Sequence, residues 1–330
     1  MKRVLDKFCK TRSSSPSGGL ECHEIDGIIW HCEEGMRGSV WAVVVLASAM
    51  SFAQESPYFV TYDHHLEERG NVAVETSTTM GVPQAPEKPE PDERGQSFYA
   101  APYVELEYGV TNRFTASAYI EGQGTLGDIA LFTGWRVEGR YRPFADEHRI
   151  NSVLYLEYES LNDASRIAKD IVGSGPDLDV SNDWLRASKA HELETKLILS
   201  SDIRQWNVAG NFIVDKNLLR GEGFEFGYAV GVSKALAKPG TGRDCAFCRQ
   251  RFVTGLELYG GLGTTIQGVG LHDTAQYVAP TVSWSLKQRG TVRFSTAVGV
   301  GHESSRMLFR MGYSFDLPRF RREGAEKDLR

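Results

Sequence analysis

Beyond residue 70 the chain repeats one pattern: segments of roughly ten residues in which apolar side chains take every second position and polar or small ones the positions between. Period two puts neighbouring side chains on opposite faces of an extended strand, so each segment predicts a β-strand with one apolar and one polar face. The first sets Val72, Val74, Thr76, Thr78 and Met80 against Ala73, Glu75, Ser77 and Thr79. The pattern recurs over Phe98–Tyr108, Phe114–Ile120, Leu131–Tyr141, Leu154–Tyr158, Leu193–Leu199 and Trp206–Val214. It is cleanest where Phe224, Phe226, Tyr228, Val230 and Val232 alternate with Glu225, Gly227, Ala229, Gly231 and Ser233. Phe252–Leu262, Val278–Leu286, Val292–Val300 and Met307–Phe315 complete about twelve segments.

A soluble two-sheet sandwich would alternate too, with its apolar faces turned inward. Segment length argues against it, because soluble strands average about five or six residues whereas a tilted membrane strand needs about nine to eleven. Aromatic residues also gather toward segment ends, among them Tyr108, Tyr141, Trp206 and Trp284, as interfacial girdles require. Lipid offers the backbone no hydrogen-bond partner, so a spanning sheet must close on itself. The expected fold is therefore all-β: a transmembrane antiparallel up-and-down β-barrel of about twelve strands, over residues 71–315. Tight turns at 109–113, 202–205 and 287–290 would face the periplasm. Most long connections, including 83–97 and 161–190, would face outward, with 237–251 as an exception.

From Met36 the chain reads Arg37, then an apolar run from Val40 to Met50, then Ser51-Phe52-Ala53. That is the order of a secretory signal, predicted to be cleaved before Gln54. The run is too short to span a bilayer as a helix. Export to a bacterial outer membrane is the expected localisation, with lipid, lipopolysaccharide and the barrel assembly machinery as partners. Residues 1–35 fit poorly, since Glu33 and Glu34 stand where positive charge is expected; they read as an untranslated or disordered extension. On that reading Cys9, Cys22 and Cys32, with His23 and His31, are no metal site. Residues 54–70 read as a periplasmic lead-in and 316–330 as a charged tail.

Composition narrows the partners. A net charge of −6 offers no basic patch for nucleic acid, and 11% aromatic residues is too many for a disordered chain. The turn Tyr108-Gly109-Val110-Thr111-Asn112-Arg113-Phe114, the Gly-aromatic eighth strand and the aromatic Phe315 are similar to those of bacterial outer-membrane barrels of porin-like and transporter type. The resemblance is architectural, covers roughly residues 58–315, and implies a membrane barrel without assigning any functional residue. Such barrels often end at the terminal aromatic, whereas fifteen residues follow Phe315 here.

The polar face carries the candidate chemistry. Glu75, Glu105, Glu107, Glu121, Glu138, Glu157, Glu159, Glu192, Glu194, Glu225 and Glu257 stand against Arg136, Arg140, Lys196, Arg293 and Arg310, an acidic excess of six. In a wet lumen that charge favours cations, so the first expectation is a passive channel for small hydrophilic solutes. The alternative is a lumen plugged by ion pairs, a structural barrel meeting partners through the loop 161–190. A third reading, a lipid-acting enzyme, would use His302 with Ser304 or Ser305. No cofactor is expected, although Asp177, Asp179, Ser181 and Asp183 are spaced like the first ligands of a calcium loop. Asn182 and Ser188 then occupy the places of its glycine and its bidentate glutamate. Cys245 and Cys248 are a candidate disulfide in an oxidising compartment, and Asp63-His64-His65-Leu66-Glu67-Glu68 holds metal-ligating residue types.

Overall fold

The computed structural model describes residues 22–25, 29–32, 56–82, 98–125, 128–162, 164, 187–237, 245–271, 273–286, 290–301 and 303–317. Two units are distinguished, Met1–Phe52 and Ala53–Arg330. The described part of the first is an antiparallel pair, Cys22–Ile25 with Ile29–Cys32, in which Cys22 lies opposite Cys32 and His23 opposite His31. The signal sequence expected at 36–53 lies outside the described residues.

The second unit is a closed ring of twelve antiparallel strands. In chain order these are β1 (Val72–Val82), β2 (Tyr99–Thr111), β3 (Phe114–Thr125), β4 (Asp128–Tyr141), β5 (Asn151–Asn162) and β6 (Lys189–Ile203). The ring continues with β7 (Trp206–Asn217), β8 (Glu225–Ala235), β9 (Phe252–Thr264), β10 (Gln276–Ser285), β11 (Thr291–Gly299) and β12 (Met307–Leu317). Each strand pairs with its sequence neighbours, and β12 closes on β1 from Met307 opposite Val82 to Leu317 opposite Val72. The strands run from 9 to 15 residues, long enough to cross a hydrocarbon core at a tilt. Gly268–Val269 adds a short strand beside the end of β9, outside the ring.

The faces are inverted relative to a water-soluble protein. Ile120, Leu154 and Leu156 on the outer face are 63%, 51% and 52% exposed, whereas Glu157 and Glu257 on the inner face are fully buried. Apolar surface of this extent turned outward on every strand is costly in water and favourable in lipid, so the exterior is that of a membrane-spanning barrel. Among aromatic residues, Trp135, Tyr108, Tyr141 and Trp206 are exposed on this surface.

Both ends of the chain's barrel lie at one rim, since Val72 and Leu317 are paired there. Two of the connections at this rim are short, 112–113 and 204–205, while 142–150 and 236–251 are longer. Part of the last is organised by a disulfide between Cys245 and Cys248. Phe247 stacks on Trp284 at 4.9 Å, and the Trp284 indole donates to the Ala246 carbonyl at 2.8 Å.

Candidate functional site in the barrel lumen

The lumen has two dissimilar halves. Strands β2 to β6 turn long charged and phenolic side chains inward. Arg136 on β4 ion-pairs with Glu121 on β3 and, at 2.7 Å, with Glu157 on β5. Arg140, two inward steps along β4, pairs with Glu107 and with Glu138 at 2.8 Å. Lys196 holds Glu194 at 2.8 Å and lies over the rings of Tyr155 and Tyr62, 4.2 and 4.6 Å from their centroids. The Tyr119 hydroxyl donates to Glu138 at 2.6 Å and lies 2.8 Å from Glu105, while its ring lies 3.9 Å from the Arg136 guanidinium carbon. Charges withdrawn from water are tolerated when they meet opposite charge, and here Arg136, Arg140 and Lys196 each face at least one carboxylate.

Strands β7 to β11 turn mostly small side chains inward: Ala209, Ala229, Gly231, Ser233, Ala279, Ser283 and Ala297. The space they leave is filled by the chain's own segment before β1. Residues 58–66, expected as a periplasmic lead-in, instead run inside the ring, with Tyr58, Val60, Thr61, Asp63 and His64 buried. Gly231 shows how closely the segment approaches: a Cβ there would lie 2.7 Å from the Tyr58 ring.

Glu257 on β9 is the anchor. Its carboxylate accepts the backbone N–H groups of Phe59, Val60 and Thr61 at 3.1, 2.9 and 2.8 Å. Three consecutive amides on one carboxylate satisfy the buried charge and fix the backbone of the segment. Asn211 on β7 holds the next residue at both ends, accepting from Tyr62 N–H at 2.7 Å and donating to its carbonyl at 2.8 Å. Arg293 ion-pairs with Glu75 and donates to the Tyr58 carbonyl at 2.8 Å. The Tyr58 hydroxyl donates to the Asn207 carbonyl at 3.2 Å, and His64 N–H donates to Ser200 Oγ at 2.9 Å. Phe59 and Val60 pack with Tyr259, Tyr277 and Ala297, and Tyr62 and Leu66 pack on Val153, Tyr155 and Ile198.

Beside the segment a cavity of about 120 Å³ remains, lined by Tyr62, Tyr103, Tyr119, Glu121, Arg136, Glu194, Lys196 and Arg310 among others. The other inward residues read from the sequence also meet the lumen wall. Glu192 accepts from Asn217 at 3.3 Å, Glu159 is buried beside Glu157 and Glu194, Glu225 is half-buried, and Arg310 lies over Tyr259 at 5.1 Å.

At the rim where β1 begins and β12 ends, Asp63, His64 and His65 meet Asp202 of β6. His65 Nδ1 lies 3.1 Å from Asp63 and its Nε2 3.1 Å from Asp202. Hydrogen bonds to these two carboxylates hold the His65 imidazolium up to about 10, while burial lowers the pKa of His64.

No family model and no curated protein matches the chain. Among solved structures it is similar to the KdgM porin, at 10% identity and a TM-score of 0.45 over 74% of this chain and 98% of that one. The NanC porin matches at 12% identity and 0.46 over 74% and 100% of the two chains. An outer membrane channel from Pseudomonas putida F1 matches at 12% and 0.43 over 77% and 98%. At such identities and TM-scores the likeness is one of architecture only.

The remaining candidates separate. Asp177, Asp179, Ser181 and Asp183 lie outside the described residues, as does His302. Ser304 is committed to the backbone: its hydroxyl donates to the Gln276 carbonyl at 2.9 Å and accepts from Gln276 N–H at 2.8 Å and Gly301 N–H at 3.2 Å. The Ser305 backbone N–H donates to the Tyr277 hydroxyl at 2.8 Å. Period-two reading did not place the segment that Glu257 holds. The signal was present in the small inward residues of β7 to β11, which leave room that twelve strands alone do not fill.

Proposed function

We propose that the protein is an outer-membrane channel for small hydrophilic solutes, closed in this structure by residues 58–66 and conducting when that segment leaves the lumen. The observation that carries the reading is how the segment is held. The bonds described between it and the wall all use a side chain on at least one side, and it takes no place in the ladder of the ring. The barrel therefore closes without it, and its departure breaks no strand pairing. The path it opens would run beside a wall whose inward residues are acidic in excess, which favours cations over anions in a narrow water-filled path.

A permanently plugged barrel is the second reading, supported by the three amides on Glu257. Lipid hydrolysis is the weaker alternative, because the Ser304 hydroxyl is already engaged with the backbone. Conductance of the folded protein with Glu257→Gln or Gly231→Val separates the first two. Unit steps in the variants support a closable channel, and silence from folded variants whose segment has left the lumen supports the structural barrel.

A further inference from the structure

We propose that His64, His65 and Asp202 form a binding site for a divalent transition-metal ion of the zinc class at the rim where β1 begins and β12 ends. One donor atom from each of the three residues lies within 4.8 Å of the other two. His64 Nε2 is 3.8 Å and His65 Nε2 3.1 Å from the same oxygen, Asp202 Oδ2. Bonds of about 2.0–2.2 Å in a tetrahedral shell place ligand atoms roughly 3.3–3.6 Å apart, so each imidazole is within a few tenths of an ångström of that separation from Asp202 Oδ2.

What distinguishes this cluster from a chance meeting of polar groups is that the far side of every ligand is already held. His64 Nδ1 lies 2.6 Å from Ser200 Oγ, and the tautomer that donates from Nδ1 leaves Nε2 bare. That nitrogen is buried and has no hydrogen-bond partner, although the side chain is only 1% exposed. His65 Nδ1 faces Asp63 Oδ1 at 3.1 Å, the carboxylate–histidine arrangement that orients metal-binding imidazoles. Asp202 Oδ1 accepts from Asn207 Nδ2 at 2.7 Å, which leaves Oδ2, facing His65 Nε2, as the ligand atom.

Two imidazoles select a borderline ion such as zinc over calcium or magnesium, which prefer shells made of oxygen. His65 and Asp202 are about half exposed, which gives the ion a path in and a water as fourth ligand. The ion takes the place of the proton between His65 Nε2 and Asp202, and that proton is released to solvent. Because two ligands belong to the inserted segment and one to β6, the ion ties the segment to the wall.

The test is zinc titration by calorimetry on the folded full-length protein in detergent, wild type against His65→Ala, with folding checked by heat-modifiable gel migration. The wild type is expected to bind one zinc equivalent more than His65→Ala, with imidazole scattering in the zinc X-ray absorption spectrum of that extra equivalent. Asp63→Asn is expected to weaken this equivalent about 10- to 100-fold by disturbing the ring orientation. If His65→Ala does not fold, Asp202→Asn gives the same comparison. Equal stoichiometry in wild type and variant, or an extra equivalent with sulfur ligation only, overturns the site. None of these readouts depends on conductance.

Discussion

Replacing Glu257 by glutamine isolates the contact that holds the inserted segment. The native carboxylate is fully buried and accepts three amide protons at 2.8–3.1 Å, two of them on one oxygen. Hydrogen bonds to a charged group contribute about 1.5–3 kcal/mol each, and neutral ones about 0.5–1.5 kcal/mol. The glutamine carbonyl keeps the bonds to Val60 and Thr61 but loses about 1 kcal/mol on each. Its NH₂ group faces the Phe59 N–H donor to donor and loses that bond altogether, about another 2 kcal/mol. The total of about 4 kcal/mol, at about 1.4 kcal/mol per tenfold, raises the undocked population nearly a thousandfold. Hydrogen exchange of the folded protein reads this directly, because the Phe59, Val60 and Thr61 amides exchange only when the segment undocks. Their protection is expected to fall by two to three orders of magnitude in Glu257→Gln, while amides in β5 and β6 keep theirs. A change smaller than about tenfold at these three amides would refute Glu257 as the anchor.

Three further outcomes follow from the geometry. Gly231→Val places a side chain where the Tyr58 ring now lies, 2.7 Å from the added Cβ, so chymotrypsin is expected to cut at Tyr58 in the folded variant and not in wild type; equal resistance would mean the ring is not seated there. Arg136→Met leaves Glu121 and the fully buried Glu157 without their shared cation and is expected to cost about 3–5 kcal/mol in urea unfolding from lipid vesicles. A cost under about 1 kcal/mol would show that solvent, not Arg136, neutralises these carboxylates. Leu156→Arg, midway along the lipid face of β5, is expected to cost about 2–4 kcal/mol in the same assay, against about 0–1 kcal/mol for Ile150→Arg at the rim. Equal costs at both positions would contradict the assignment of that face to lipid.

The ring was legible because its signal is local. Glu225 to Ser233 alternates residue by residue, and the neighbour each strand meets is the next one in the chain, so period and order together define an up-and-down barrel. The charged wall followed from the same periodicity, since Glu121, Arg136 and Glu157 take inward positions on consecutive strands and meet across two strand spacings. The inserted segment was not legible in this way. Tyr58 to His64 carries no amphipathic pattern, and its partners Glu257, Asn211 and Ser200 are between 136 and 198 residues away. Only the closed ring brings those side chains to one place. The same distance separates His64 and His65 from Asp202, so the histidine pair looked like a solvated lead-in until β6 was placed beside it.

Planar-bilayer recording under a salt gradient tests the central claim most directly, with wild type and Glu257→Gln compared as folded proteins. Closure by residues 58–66 predicts rare openings in wild type and frequent unit steps in the variant, with a reversal potential that favours cations. Equal, sustained conductance in both would show that the segment does not close the lumen. Silence from a variant whose Phe59–Thr61 amides exchange freely would show that the barrel is not a channel.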